Sequence, residues 1–358
     1  MPAWFAADIE NDPSEEGSVR LNKRFMLAAV SATLVVGACS SSGATSAPAA
    51  TAAPAATAAP AATAAPAKAI TVGFSVWDMQ YEFFQAMEKG TREAAEKLGW
   101  KFVLHDEKSD VNEMVTGATA LLDQVDVLII SPFKPDALGP IVKAAKDKKI
   151  PVIVDDIGGG GTPYDAIVIS DNAGGGTLAA EFMDAQIKTH AGATKKVVSI
   201  GCPPDAVYAA RRNEAFEKRI KELGYTVVTD LSGNSVAEQG YTVMKDALAK
   251  DPDVAGMFSC NDPMAGGASN AIKDAGKDPV KDIVTVGFNA DPEAITLIQN
   301  GGLSATVAQD PHGMGALTVD LAQQVLAGQT PKYGNEKDRE VYMPVKLVTI
   351  DNVKDYVK

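Results

Sequence analysis

From Ala69 onward the chain alternates short apolar runs with segments whose apolar residues recur every three or four positions. The runs "AITVGFSV", "KFVLHD", "VDVLIIS" and "PVIVDD" are rich in β-branched residues and have the length of buried parallel strands. Between the first two lies "YEFFQAMEKGTREAAEKLG", in which Phe84, Met87, Ala94 and Leu98 mark one helical face and Gly99 is a stop signal. The scheme repeats with "KVVSIGC", "YTVVTD", "VAGMFSC", "DIVTVGF" and "LSATVAQ", each followed by a helical stretch. Alternation of this kind predicts an α/β fold with parallel sheets covered on both faces. Two such series predict two Rossmann-like lobes with a cleft between them, where ligands meet the carboxyl ends of the strands.

The residues before Ala69 follow another pattern. Arg20, Lys23 and Arg24 precede the apolar run Phe25–Ala38, which is shorter than the ~20 residues of a membrane span. A positive flank, a short apolar core and small residues at its end are the marks of an export signal. The run ends in Val36-Gly37-Ala38-Cys39, which resembles a bacterial lipobox, so Cys39 is expected to carry a lipid anchor. The acidic stretch "MPAWFAADIENDPSEEGS" does not suit a signal peptide and points to a translation start nearer Val19. Four hexads from Thr45 to Lys68, each carrying one proline, cannot hold a helix or bury a core, and read as an extended tether or an O-glycosylated stalk. The expected layout is 1–38 as extension and signal, 39–68 as lipidated cysteine and tether, and a folded remainder.

Charge and chemistry narrow the function. A formal net charge of −13 argues against nucleic acid as a partner. His105, His190 and His312 stand apart and no Cys or His pair has ligand spacing, so neither metal nor cofactor is expected. The "DEKSDVNE" stretch lacks the glycine of a calcium loop and suits a helix cap. At the strand ends stand Trp77-Asp78, Asp106, Ser131-Pro132-Phe133 and Asp155-Asp156, then Cys202, Cys260-Asn261-Asp262, Asn289 and Gln309. Amides and carboxylates dominate and activated nucleophiles are few. Such groups answer hydroxyls that both donate and accept, and an aromatic can cover a sugar ring.

In order and spacing, "EFFQAMEKGTREAAEKLG", "IPVIVDD", "ISDNAGGGTLAAEFM", "AARRNEAF", "VAGMFSCNDPMAGGA", "IVTVGFNADPEAI" and "LSATVAQDP" resemble the ribose-binding class of periplasmic sugar-binding proteins. Those proteins feed ABC importers. The resemblance implies a type I periplasmic binding protein fold, with one lobe from residues 69–170 plus 310–340 and the other from 171–309 plus 341–358. The hinge would then be the crossings near Ser170, after Gln309 and near Tyr342. It also implies that Phe83 and Phe84 pack on the sugar ring and that Asp156, Arg212, Asn261 and Gln309 bond its hydroxyls. Three positions depart from the ribose pattern. Ile157 replaces a second arginine, Asn289 replaces an aspartate, and "SGNSVAEQG" has Asn234 and Ser235 where an aromatic is expected. Trp77 and Tyr81 are placed to compensate from the first lobe.

Three local features have their own readings. Gly158–Gly161 lacks the ending of a P-loop, and its role is a turn that lets backbone approach the cleft. "GGGTLA" from Gly174 fits a dinucleotide fingerprint but lacks the acid that should follow. Asp155 and Asp156, as consecutive strand residues, should face opposite sides and not form an acid dyad. Cys202 and Cys260 end strands expected to be neighbours, and an exported protein can bridge them. The expected function is a lipid-anchored, monomeric, non-enzymatic binding protein that delivers a monosaccharide or polyol to an ABC permease. Presentation to a chemoreceptor or sensor kinase stays open beside it, as does an exported Rossmann-like enzyme.

Overall fold

Each apolar run of the folded part becomes a strand. The computed structural model describes residues 69–158, 161–203 and 206–357. The expected signal segment, Cys39 and the tether therefore lie outside the described residues. The first half supplies β1 (Thr71–Val76), β2 (Lys101–Asp106), β3 (Val127–Ser131), β4 (Val152–Asp155) and β5 (Ala166–Ser170). The second supplies β6 (Lys196–Gly201), β7 (Thr226–Ser232), β8 (Gly256–Ser259), β9 (Val284–Asn289) and β10 (Ala305–Ala308). β11 (Glu340–Met343) and β12 (Lys346–Thr349) follow near the end. One sheet has the order β2-β1-β3-β4-β5-β11 and is parallel throughout. The other has the order β7-β6-β8-β9-β10-β12, with β12 antiparallel at its edge.

Helices cover both faces of each sheet, as parallel strands require. In the first lobe α1 (Glu82–Lys97) packs against α9 (Pro311–Leu326) on one face, and α2 (Val111–Leu121) against α3 (Leu138–Asp147) on the other. In the second lobe α4 (Asn172–Ile187) packs against α5 (Val207–Glu222), while α6 (Ala237–Lys250), α7 (Asp262–Asp274) and α8 (Pro292–Gln299) serve the opposite face. Alternate strand residues feed separate cores. Phe74, Ile129 and Ile153 join the cluster with Met87 and Met314, whereas Leu128, Ile130 and Val154 join the cluster with Met114 and Ile141. In the second lobe Phe216 and Phe258 stack at 4.5 Å beneath α4 and α5.

Two details differ from the sequence pattern. Leu98 caps α1 and is exposed, and Gly90 and Thr91 are buried on the packed face instead. The helix contact explains this, since a Cβ at Gly90 would sit 1.9 Å from the carbonyl oxygen of His312. Likewise the glycine run of α4 is a packing device. A Cβ at Gly176 would lie 2.1 Å from the Arg212 carbonyl oxygen, so the helices meet only because that side chain is absent. As expected, Asp110 caps α2, accepting from the N–H groups of Asn112 and Glu113.

The chain crosses between lobes at residues 170–172, 308–311 and 343–346. The third crossing falls beyond the expected 340/341 boundary because β11 pairs with β5 and stays in the first sheet. The Asp171 N–H donates to the Met343 carbonyl at 2.8 Å, joining the first and third crossings.

Asp155 is an anomaly of the first core. It is fully buried, and neither carboxylate oxygen has a partner among the described residues. The nearby Asp156 N–H is engaged by the Val168 carbonyl at 2.7 Å. Burial holds the Asp155 carboxyl well above its ordinary range. Because the folded state keeps this proton more tightly than the unfolded chain, Asp155 lowers stability progressively as pH rises above 3.8. Asp155→Asn is expected to raise Tm more at pH 8 than at pH 4, by about 2–4 °C for each kcal/mol recovered. A gain independent of pH in thermal unfolding would show that the carboxyl is solvated or paired in solution.

The interlobe cleft as candidate functional site

A cavity of about 1130 Å³ opens between the carboxyl ends of the two sheets. Of the residues expected there, Trp77, Asp156, Arg212, Asn261 and Asn289 line it. Tyr81, Phe83, Phe84 and Gln309 do not line it. Phe84 is buried in the first core under Trp77, with ring centres 5.5 Å apart. Phe83 packs edge-on against Phe84 at 5.4 Å, and Tyr81 is exposed on the outer side of Trp77. Helical spacing sends this run into the core and leaves Trp77 as its face on the cleft. Phe133 stands beside it at 5.5 Å, completing an aromatic wall. The wall is braced from behind. The Trp77 indole N–H donates to Ser109 Oγ at 3.0 Å, and buried Glu107 accepts from the Phe133 N–H at 2.7 Å. Desolvation pushes the Glu107 carboxyl up to about 7.

Asp156 follows β4 with φ +60, a left-handed conformation costly for a residue with a side chain. The turn delivers its carboxylate to the cleft, while Asp155 remains in the core. Among the described residues no hydrogen bond occupies the Asp156 carboxylate. Burial pushes it up to about 6, and the positive charge of Arg212 opposes the rise. Ile157 and Gly158 continue the wall.

Arg212 rises from the first turns of α5 and is almost wholly buried. Its Nε donates to Asn172 Oδ1 at 2.7 Å, and Nη1 donates to the Cys260 carbonyl at 2.8 Å and to Asn289 Oδ1 at 3.2 Å. The guanidinium lies 3.9 Å over the Phe288 ring. Desolvation draws its pKa down to about 10, so it stays charged at neutral pH. Asn289 holds the unusual φ of +124 and also accepts from Gln309 Nε2 at 2.8 Å. Gln309 Oε1 in turn accepts from the Ser170 hydroxyl at 2.8 Å. Gln309 thus links the first two crossings to Arg212 through Asn289. Asn261 caps α7 through its side-chain oxygen, which accepts from the Met264 N–H, and the residue lines the cavity.

Several lining residues escaped the sequence reading. Asn172, the first residue of α4, orients Arg212; its position just after a strand end was the available signal. Tyr208 and Tyr164 face each other across the lobes, their hydroxyls meeting beside Gly158. Arg211 of α5 forms a bidentate pair with Glu340 of β11 at 2.9 and 3.1 Å, and Glu340 is fully buried. Nothing in a local pattern pairs residues so far apart. Of the histidines, His105 accompanies Ser75 and Glu113, and His312 accompanies Glu93. Among the described residues no cluster of three His, Cys, Asp or Glu could hold a metal, and no helix is long and apolar enough to cross a membrane.

Cys202 and Cys260 form a disulfide between the ends of β6 and β8, with Cα atoms 5.6 Å apart. Cys202 is on the cavity wall.

Two lobes, three crossings and a cleft with opposed polar groups define a bilobal binding protein. The family described as periplasmic binding protein domain matches residues 72–330, and the chain belongs to it. The ribose import binding protein of Bacillus subtilis is 32% identical over 283 residues, covering 79% of this chain and 88% of that protein. Its Escherichia coli counterpart is 30% identical over 260 residues, covering 72% and 86%. Among solved structures, the periplasmic ribose ABC transporter protein of Conexibacter woesei superposes with TM-score 0.72 at 24% identity, covering 80% of this chain and 94% of that one. A carbohydrate transporter solute-binding protein of Agrobacterium radiobacter, solved with D-arabinose, gives TM-score 0.67 at 26% identity, with coverage of 82% and 100%.

The Arg211–Glu340 pair joins the lobes directly. Loss of one partner of a buried pair costs about 3–5 kcal/mol, and less is expected here because Arg211 keeps 30% exposure. Arg211→Ala should lower Tm and enlarge the ligand-free radius of gyration in small-angle X-ray scattering. An unchanged radius would mean that the pair does not restrain the lobes.

Proposed function

We propose that the protein captures a monosaccharide or polyol in the interlobe cleft and delivers it to an ABC permease, acting by binding and not by catalysis. One observation carries this reading. The first lobe offers an unengaged carboxylate, Asp156, to the same cavity in which the second lobe offers donors from Arg212, Asn172 and Asn261. Neighbouring hydroxyls satisfy both sides at once, donating to the carboxylate and accepting from the amides and guanidinium. Trp77 and Phe133 cover the apolar face of a ring. A ligand held by both lobes stabilises their closed arrangement, and that arrangement is what a permease would recognise. Trp77, Asp156, Arg212 and Asn261 are the proposed ligand contacts. Gln309 acts behind them through Asn289, and Phe83 and Phe84 support Trp77. In this reading the protein works outside the cytoplasm, held to the membrane by lipid on Cys39.

The test is thermal unfolding against pentoses, hexoses and polyols. A sugar present at 1,000 times its Kd adds about 4.1 kcal/mol of stability, and each kcal/mol raises Tm by about 2–4 °C in a protein of this size. Asp156→Ala and Arg212→Ala should each abolish the shift or weaken it at least tenfold in Kd, since hydrogen bonds to charged groups contribute about 1.5–3 kcal/mol. A shift that survives both substitutions would remove the proposed seat.

The pH dependence is fixed by Asp156. Its carboxyl ionises near pH 6 in the ligand-free fold, and a hydroxyl donating to it favours the ionised form. Near and below about pH 6 binding therefore releases a proton, and Kd should rise as pH falls through this range. Titration calorimetry at pH 5 and pH 8 reads the change directly. Asp156→Asn should flatten it.

A further inference from the structure

The sugar seat depends on where Arg212 and Asn261 point, and one covalent bond bears on both. Cys202 follows β6 and opens the segment that leads into α5, the helix carrying Tyr208, Arg211 and Arg212 to the cleft. Cys260 follows β8. Its N–H donates to the Ile200 carbonyl at 3.0 Å, its carbonyl accepts from Arg212 Nη1 at 2.8 Å, and the next residue is Asn261. The disulfide therefore closes a ring. The path runs from Cys202 along the chain to Arg212, across the hydrogen bond to Cys260, and back through the two sulfurs.

Beside Arg212, α5 is tied to β6 by Asn213 Nδ2, which donates to Ser199 Oγ at 2.8 Å and to the Ile200 carbonyl at 3.2 Å, and to β11 by Arg211, and the disulfide adds a covalent tie at the entry. The N-cap of α5, Ala206, offers no side-chain cap, and the described backbone contacts of the entry are Ala206 N–H to the Pro203 carbonyl at 3.0 Å and Ser232 Oγ to the Cys202 carbonyl at 2.9 Å. On the other side the Cys260 carbonyl is one of three acceptors that orient a buried guanidinium, and the next residue, Asn261, lines the same cavity. A staple between distant surface loops would restrain only the unfolded chain. This one joins the two supports of the proposed donor set, and Cys202 is itself part of the cavity wall.

We propose that the Cys202–Cys260 disulfide is a positioning element of the ligand seat, holding Arg212 and Asn261 in register so that affinity for a hydroxylated ligand depends on the oxidised state. Reduction by an added thiol converts the bond to two thiols, with the reductant oxidised to its own disulfide. The cysteines then remain in place, but the ring is open. The inference rests on the sugar-binding reading, and the experiment separates the two.

Kd for any sugar that raises Tm is measured by calorimetry, well below the unfolding transition, for the oxidised protein, the thiol-reduced protein and the double variant Cys202→Ser/Cys260→Ser. In parallel, the Arg212 Nε–H resonance is followed by NMR in the ligand-free protein and assigned by its loss in Arg212→Lys. The expected result is a Kd at least tenfold higher in both bridge-free forms, with a shifted or exchange-broadened Arg212 resonance. A disulfide that merely stabilises the fold would lower Tm and leave both Kd and the resonance unchanged, and that outcome overturns the proposal. Where no sugar in the panel binds, the sugar reading fails and the resonance decides alone. Movement on reduction supports positioning of Arg212, and an unmoved signal rejects it.

Discussion

A buried guanidinium organises the second lobe and its join to the first. A cation removed from water is costly unless its donors are satisfied, and Arg212 meets that demand with acceptors from three separate elements. These are Asn172 at the start of α4, the Cys260 carbonyl beyond β8, and Asn289 at the end of β9. The Phe288 ring closes the remaining face. The requirement propagates. Gly176 must lack a side chain for α5 to approach α4, and Asn289 accepts an unfavourable backbone conformation to turn its amide toward the guanidinium.

The same network reaches the hinge. Asn289 accepts from Gln309, and Gln309 accepts from Ser170, so the second crossing is one hydrogen bond and the first crossing two hydrogen bonds away from Asn289, which holds Arg212. The third crossing is tied in by the Asp171 N–H. The side chains that hold Arg212 are thus bonded to those at the crossings. Across the cleft the Arg211–Glu340 pair and the Tyr164–Tyr208 contact join lobe to lobe along the cavity wall.

The first lobe contributes differently. Its aromatic wall is made rigid by groups behind it, namely Ser109 under Trp77 and Glu107 under Phe133. At the cleft the lobe offers the Asp156 carboxylate, held out by a positive φ. Rigid apolar surface and carboxylate on one side, oriented donors on the other, form a division of labour suited to a ring with hydroxyl edges. Asp155 shows how narrowly this is set. One residue earlier in the chain, the same functional group falls into the core and finds no partner.

Periodicity alone determined the two α/β lobes, because burial against a sheet imposes its spacing on each element independently of what lies elsewhere. It located the strand ends, and with them Trp77, Asp156, Asn261 and Asn289, since a parallel strand delivers its last residues to the cleft, whereas Arg212, inside α5, was marked only by the resemblance to the ribose-binding class. The expected neighbouring ends of β6 and β8 left a Cys202–Cys260 bridge open, and the tertiary structure decided it. β5, β11 and β12 were not marked out as strands. They are short edge or near-edge strands, and their partners come from distant parts of the chain. The same limit applied to Phe84, which has the composition of a ring-stacking residue yet lies in the core because α1 turns it under Trp77. It applied again to Arg211 and Glu340, and to Gln309, whose role passes through Asn289. Local pattern reports whether a residue is buried or exposed along its own element. Which buried groups meet one another is decided only when the lobes fold and their unsatisfied donors and acceptors find partners across the chain.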